Sequence, residues 1–407
     1  MGYALLSKLY YQNREQYEET YQARFRSEYA IHVDFAIDGA PAFFLQTPEI
    51  ISLLTGILRT NRKVSELCHA LPRVAIQQFS KRCLIDEIIL TNNIEGVRST
   101  RKEIREILEE LDDKVQGKRK RMWGLVQKYN TLMQREHLPL ETCEDIRSIY
   151  DTLVLPEVEE EEPGNRPDGI WFRKGPVSIY SPAQKEIHKG LFPETNIIRG
   201  MEQALAFLQD DACEILYRIA IFHYLLEYIH PFYDGNGRLG RFLCSYLLSK
   251  ELEPVTGYRL SYTIKENIKE YNRAFTLSND PLNKGDLTPF LVMFLRIVKE
   301  SVEKLEESLF ERLTRLEACF QMIPKLVTDG DETMEELYSL LMQAALFAEL
   351  GVPTDVVMKH LGISRTTLNR KLEQIPAEFL IKTKRGVTNY YSIDLEQLEG
   401  RFPADES

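Results

Sequence analysis

Apolar residues return every three to four positions along much of this chain, and that spacing predicts helices. Residues 219–228 and 239–248 are apolar with helical spacing, separated by a polar loop that holds Gly235 and Gly237. A further amphipathic run begins near Ser80, with Leu84, Ile85, Ile88, Ile89 and Leu90 as its apolar side. Gly96 is a natural stop for it, and Thr100-Arg-Lys-Glu103 reads as a capping box that opens the next helix. Residues 195–300 read as nearly all helix, and 292–326 keeps helical periodicity with many charges, as a long connector does. Near the N-terminus, a Tyr-rich helix over 10–24 gives way to a proline-containing stretch over 34–48. Aromatic and β-branched residues on either side of Lys174-Gly175-Pro176 predict a hairpin over 169–180. Residues 157–162, an acidic run between Pro156 and Pro163, read as a solvent-facing loop, and the basic run 114–121 as a solvated turn or helix end.

The C-terminal part has its own rhythm. Helices are expected over 334–349, 355–361 and 365–374, the last two joined by Gly362-Ile-Ser364, with Ser364 as a cap. Two strands around Arg385-Gly386 then predict a hairpin. Helix, helix, turn, helix, hairpin resembles a winged helix-turn-helix domain. The expected fold is therefore mainly α, with a hairpin in its helical core and a small α+β domain at the end.

Composition narrows the function. At 407 residues the chain is expected to form two or three units. A net charge of −11 argues against a main task of coating nucleic acid or anionic membrane. The six cysteines show no Cys-x-x-Cys pair, and the first residues lack a secretory pattern, so a cytoplasmic protein with reduced thiols is expected. No apolar run approaches membrane-spanning length.

The chemistry gathers in His230-Pro-Phe-Tyr-Asp-Gly-Asn-Gly-Arg-Leu-Gly-Arg241, the loop between the helices expected over 219–228 and 239–248. Gly235 and Gly237 let backbone N–H groups approach a ligand, and N–H groups at a helix start form an anion site. Arg238 and Arg241, three apart, can clamp two phosphates. Asp234 is a hard oxygen ligand suited to Mg²⁺, and His230 at the loop mouth can take a proton from a hydroxyl. Each residue alone has an ordinary structural explanation; a structural loop has no need of all of them in this order.

The stretch resembles the Fic family, whose motif reads His-x-Phe-x-Asp/Glu-Gly-Asn-Gly-Arg-x-x-Arg, and every fixed position is met, including Phe232. The resemblance implies transfer of AMP from ATP to a protein hydroxyl, with His230 as general base and Asp234 as Mg²⁺ ligand. It also implies that Gly235, Asn236 and Gly237 form an anion hole, and that Arg238 and Arg241 hold the β- and γ-phosphates. Gly237 favours attack at the α-phosphate, since relatives that act as kinases carry Lys there. Thr91-Asn-Asn-Ile-Glu95-Gly96 resembles the family's inhibitory motif, Ser/Thr-x-x-x-Glu-Gly/Asn, whose glutamate engages the second arginine; here the pair would be Glu95 with Arg241. The 169–180 hairpin resembles the family's target-docking flap, which implies Phe172, Arg173, Val177 and Ile179 as docking residues. Tyr271 and Asn272 sit where the family has adenosine contacts, although Asn272 stands in place of a second tyrosine.

The expected organisation is an N-terminal helical region over 1–140 containing an inhibitory helix near 80–96, a Fic core over 141–300, a connector over 301–333 and a winged helix over 334–398. The expected partners are ATP, a protein bearing a Ser, Thr or Tyr hydroxyl, the protein itself and a second copy of the chain. DNA through 364–391 is not favoured, because 334–398 holds seven Lys/Arg against eight Asp/Glu. No membrane partner is expected. Two other functions stay open: a deAMPylase in which Glu95 positions water, and a DNA-binding regulator whose core only senses nucleotide.

Overall fold

A computed structural model describes residues 3–112, 122–180 and 186–402; the basic run 114–121 lies outside these. The chain divides into two compact units, Met1–Asn61 with Leu84–Glu303, and Arg62–Cys83 with Lys304–Ser407. The first draws on both the expected N-terminal region and the expected core. It is mainly helical, and the helices Ile215–Ile229 and Asn236–Glu251 run through its middle. Twelve of the fifteen residues of Ile215–Ile229 are buried, as are twelve of the sixteen in Asn236–Glu251. A helix that is apolar nearly all round belongs inside a core, and two such helices hold the loop between them on a rigid base. Gly240 lets them approach: a Cβ there would lie 2.8 Å from Glu227 Oε1 and 3.1 Å from His223 Nδ1.

Three expectations are corrected in this unit. The Tyr-rich helix over 10–24 is two helices, Leu6–Gln12 and Arg14–Phe25, broken at Asn13, whose side chain caps the second. Within the proline-containing stretch runs a β-hairpin, Ala30–Ile37 paired with Ala40–Leu45. Its two-residue turn is Asp38-Gly39, both at positive φ, a turn signal already present in the sequence. The hairpin expected over 169–180 is displaced: the strands are Ser178–Tyr180 and Glu186–Lys189. The physical reason lies in the backbone donors of 171–175, which are spent elsewhere. Trp171 and Phe172 donate to Glu194 Oε1, Lys174 to Asp168 Oδ1, Gly175 to the Tyr233 hydroxyl and Arg173 to the Pro231 carbonyl.

The second unit includes the far end of the 33-residue helix Thr288–Phe320 and the short helix Ile323–Leu326, which together cover much of the expected connector. The C-terminal module follows as Glu332–Phe347, Thr354–Leu361 and Arg365–Leu372, with a three-stranded sheet. In that sheet Thr388–Ile393 lies between Val352–Pro353 and Leu380–Arg385, antiparallel to both. Leu337, Leu341, Val357, Leu368 and Ile393 are buried in its core. Lys371 is buried too and pairs with Asp331, so it faces inward from Arg365–Leu372. No helix among the described residues is long and apolar enough to cross a membrane.

Candidate active site

His230 ends the helix Ile215–Ile229 in the left-handed conformation, φ 51°, which turns the chain sharply into the loop. The turn is fixed by Arg173, whose Nε donates to the His230 carbonyl at 2.9 Å and whose Nη2 donates to the Leu191 carbonyl at 2.9 Å. Arg173 is fully buried, and so is Phe172, which packs edge-on against Phe232. These two were expected to dock a target, and burial removes both from that role: they brace the loop. Val177 and Ile179 are half-buried on or beside the displaced strand.

Phe232 is buried under the loop and stacks on Tyr150 with ring centroids 3.6 Å apart, while the Tyr150 hydroxyl donates to the Asp234 carbonyl at 3.2 Å. Asn236, expected as a phosphate donor, is otherwise engaged. Its Oδ1 accepts from the Phe232 N–H and its Nδ2 donates to the Phe232 carbonyl, both at 2.9 Å. With its amide spent on the backbone four residues earlier, Asn236 fixes the loop's shape. Gly235 caps the helix Asn236–Glu251 at φ 78°, and a Cβ there would strike Val154 Cγ1 at 2.2 Å. Conformation and space both require glycine.

Arg241 points back across the loop to the helix Arg73–Ile94, where two residues receive it. Its Nη2 lies 2.8 Å from Glu95 Oε1, its Nε donates to Thr91 Oγ1 at 2.9 Å, and Nη2 also donates to the Thr91 carbonyl at 3.0 Å. Glu95 sits just past the helix end, where Gly96 takes φ 78°. The carboxylate lies against the start of the next helix: a Cβ on Gly237 would meet Glu95 Oε1 at 2.2 Å. The expected pair is therefore present, and the carboxylate rests on the side of the loop where helix-start N–H groups would receive an anion.

The electrostatics follow from burial. Burial, with His188 and Arg173 adding to it, pushes the His230 imidazole down to about 4, so it is neutral at ordinary pH. Burial alone would raise the Glu95 carboxyl, but the charge and hydrogen bond of Arg241 outweigh it and the net is a lowered value. Two further acids stand behind Arg241. Burial raises Glu87 to about 7 and Glu227 to about 8, the latter with repulsion from Glu95. Glu87 accepts from both Ser245 and Ser261. Tyr271 belongs to this interior, its hydroxyl 2.7 Å from His223 Nε2, while Asn272 is exposed. Tyr271, expected near adenosine, has its hydroxyl paired here with the buried His223.

Arg238 is bound by a residue of the acidic run that the sequence suggests is a solvent-facing loop. Residues 155–161 form a helix, Leu155–Glu161, opened by Pro156, and Glu157 points inward from it. Glu157 Oε2 accepts from Arg238 Nη1 at 2.6 Å. The signal was present: Val154, Glu157 and Val158 share one helical face, and both valines are buried. Asp234 is 47% exposed and lies 3.8 Å from Arg238 Nη2. Among the described residues no group of three or more His, Cys, Asp or Glu converges. One open carboxylate fits Mg²⁺ better than a cation needing a protein cage, since Mg²⁺ takes its other ligands from phosphates and water.

Residues 140–248 match the Fic/DOC family, and the chain carries a Fic domain. Protein adenylyltransferase Fic of Drosophila mojavensis is 26% identical over 264 residues, which is 63% of this chain and 47% of that protein. The protein of the same name in Drosophila willistoni is 32% identical over 121 residues, 30% of this chain and 21% of that one. The chain thus spans about half the length of these curated relatives or less. A crystal structure of a Fic family protein from Desulfovibrio desulfuricans G20 shares the fold, with a TM-score of 0.52 and 21% identity over 86% of this chain and 96% of that one.

Proposed function

We propose that this chain is an autoinhibited AMP transferase that moves AMP from ATP to a hydroxyl of a protein, itself included. The observation that carries the reading is the Glu95 carboxylate lying against Gly237 while bound to Arg241. In the active state Glu95 withdraws and Arg241 turns to the γ-phosphate. The N–H groups of 235–237 receive phosphate oxygens, and Arg238 holds the phosphate tail. Asp234 would hold Mg²⁺, which would supply neutralisation of phosphate charge. A target hydroxyl oxygen then attacks the α-phosphorus, the bond from that phosphorus to the β-phosphate oxygen breaks, and pyrophosphate leaves. His230, neutral at ordinary pH, takes the hydroxyl proton, a role worth roughly 10²–10⁴-fold. Val177 and Ile179, half-buried near the loop, are the residues left to receive the target backbone.

The test uses ATP labelled at either end. Label from the α-phosphate should enter protein in Glu95→Gly and not in the same variant carrying His230→Ala. Label from the γ-phosphate should enter neither. Transfer of γ-label would replace the reading with a kinase.

One observation favours a second reading. Glu95 is 32% exposed and close enough to His230 for each to shift the other's titration. A carboxylate there can position water for attack on the phosphorus of an AMP ester, releasing AMP and restoring the protein hydroxyl. Release of AMP from a pre-modified protein by wild type, lost in Glu95→Gly, would assign that direction.

A further inference from the structure

The run 157–162 sends one carboxylate into the core. Glu157 and Arg238 form an ion pair at 2.6 Å with side chains only 7% and 3% exposed. The remaining donors of the guanidinium are placed differently. Nη2 stands toward Asp234, and Nε is buried with no hydrogen-bond partner among the described residues. A guanidinium offers five donors in a fixed fork, so a carboxylate that takes one from behind determines where the others point.

Glu157 differs from Glu95 in what else it touches. The atoms nearest a Cβ on Gly235 belong to Val154, and those nearest a Cβ on Gly237 belong to Glu95 and Arg241. Glu157 is not among those nearest atoms. Its helix is locked to the first unit by buried Val154 and Val158, whereas Glu95 sits in a turn past a helix end.

We propose that Glu157 is a positioning residue, a buried brace that holds the Arg238 guanidinium toward the phosphate tail of a bound nucleoside triphosphate. The proposal deepens the functional reading above and rests on it. A long side chain fixed before binding loses less freedom when the ligand arrives, and the gain appears as affinity for the group it contacts. Glu157 therefore acts on the β- and γ-phosphates and leaves recognition of a nucleoside monophosphate alone.

The test compares ATP and AMP binding, each with Mg²⁺, in Glu95→Gly and in that variant carrying Glu157→Ala or Glu157→Gln. Glu157→Ala should weaken ATP binding about tenfold, the loss of one charge-assisted contact, with AMP binding unchanged within about twofold. Glu157→Gln keeps an acceptor for Nη1 and should fall between. In transfer assays the loss should appear in KM for ATP and little in kcat. A cooperative thermal transition in each variant separates this from unfolding, and Glu157→Gln keeps the test available if Glu157→Ala does not fold. Unchanged ATP binding in both variants overturns the brace, as does an equal loss for ATP and AMP. Tighter ATP binding would make Glu157 a second inhibitory contact. If Glu95→Gly itself binds ATP no better than AMP, the triphosphate reading fails and the brace with it. That outcome is distinct from a parent that discriminates while its Glu157 variants do so equally well.

Discussion

Two arginines three residues apart at the start of one helix are each held by a glutamate, and the two pairs are built differently. Arg241, itself buried, meets Glu95 just past the end of a helix, where the carboxylate is 32% exposed and lies against Gly237. Arg238 meets Glu157 in the interior, on a helix anchored by buried valines on both sides. An ion pair on an open edge can exchange its carboxylate for a phosphate, because the displaced carboxylate returns to water. Where both side chains are buried, as in the interior pair, breaking the pair costs roughly 3–5 kcal/mol. In the proposed scheme the same chemistry would serve as a switch in one place and a brace in the other, with exposure of the carboxylate deciding which.

The comparison is most exposed to failure at the reaction both pairs serve. In Glu95→Gly, replacing His230 by Ala should lower transfer by roughly 10²–10⁴-fold while ATP binding changes less than about threefold. Transfer that survives would leave the arginines without a reaction to govern. Next in size is the switch itself: Glu95→Gly should raise incorporation about tenfold or more over wild type, and Glu95→Gln, which keeps an acceptor but loses charge, should fall between. Equal rates in all three would remove the switch. Thr91→Val takes one hydrogen bond from the Arg241 guanidinium while leaving the Thr91 carbonyl, so basal transfer should rise only about two- to tenfold. A rise as large as that of Glu95→Gly would move the latch from the carboxylate to the hydroxyl.

The smallest effect expected is with pH. A base is active when neutral, and the His230 pKa is lowered to about 4, so its protonated form is absent above about pH 6. In Glu95→Gly the rate should stay within about twofold between pH 6 and 8. A rate that climbs through an apparent pKa near 6.5 would mean an imidazole with an ordinary environment, at odds with the buried loop mouth.

The loop, its flanking helices and the pairing of Glu95 with Arg241 were legible because each is local or carried by a short motif. Helical spacing placed the apolar faces, and glycines marked the ends. What stayed hidden depends on partners far along the chain. Arg173 looks like a surface cation until the carbonyls of His230 and Leu191 surround it. Asn236 reads as a donor to ligand, and only the fold shows that its amide closes on the backbone of Phe232. The 169–180 stretch has strand-like residues, but side-chain acceptors claim its N–H groups first. Glu157 was hidden by its neighbours: a run of glutamates reads as solvated, while the valines at its helical spacing say that one of them is inside.

The claim that the two pairs act in opposite senses is tested most directly by three initial rates of α-label incorporation at limiting ATP, from wild type, Glu95→Gly, and Glu95→Gly with Glu157→Ala. The expected order is a rise on opening the surface pair and a fall from that level on removing the interior one. A double variant as fast as Glu95→Gly, or faster, would contradict it and make both glutamates inhibitors.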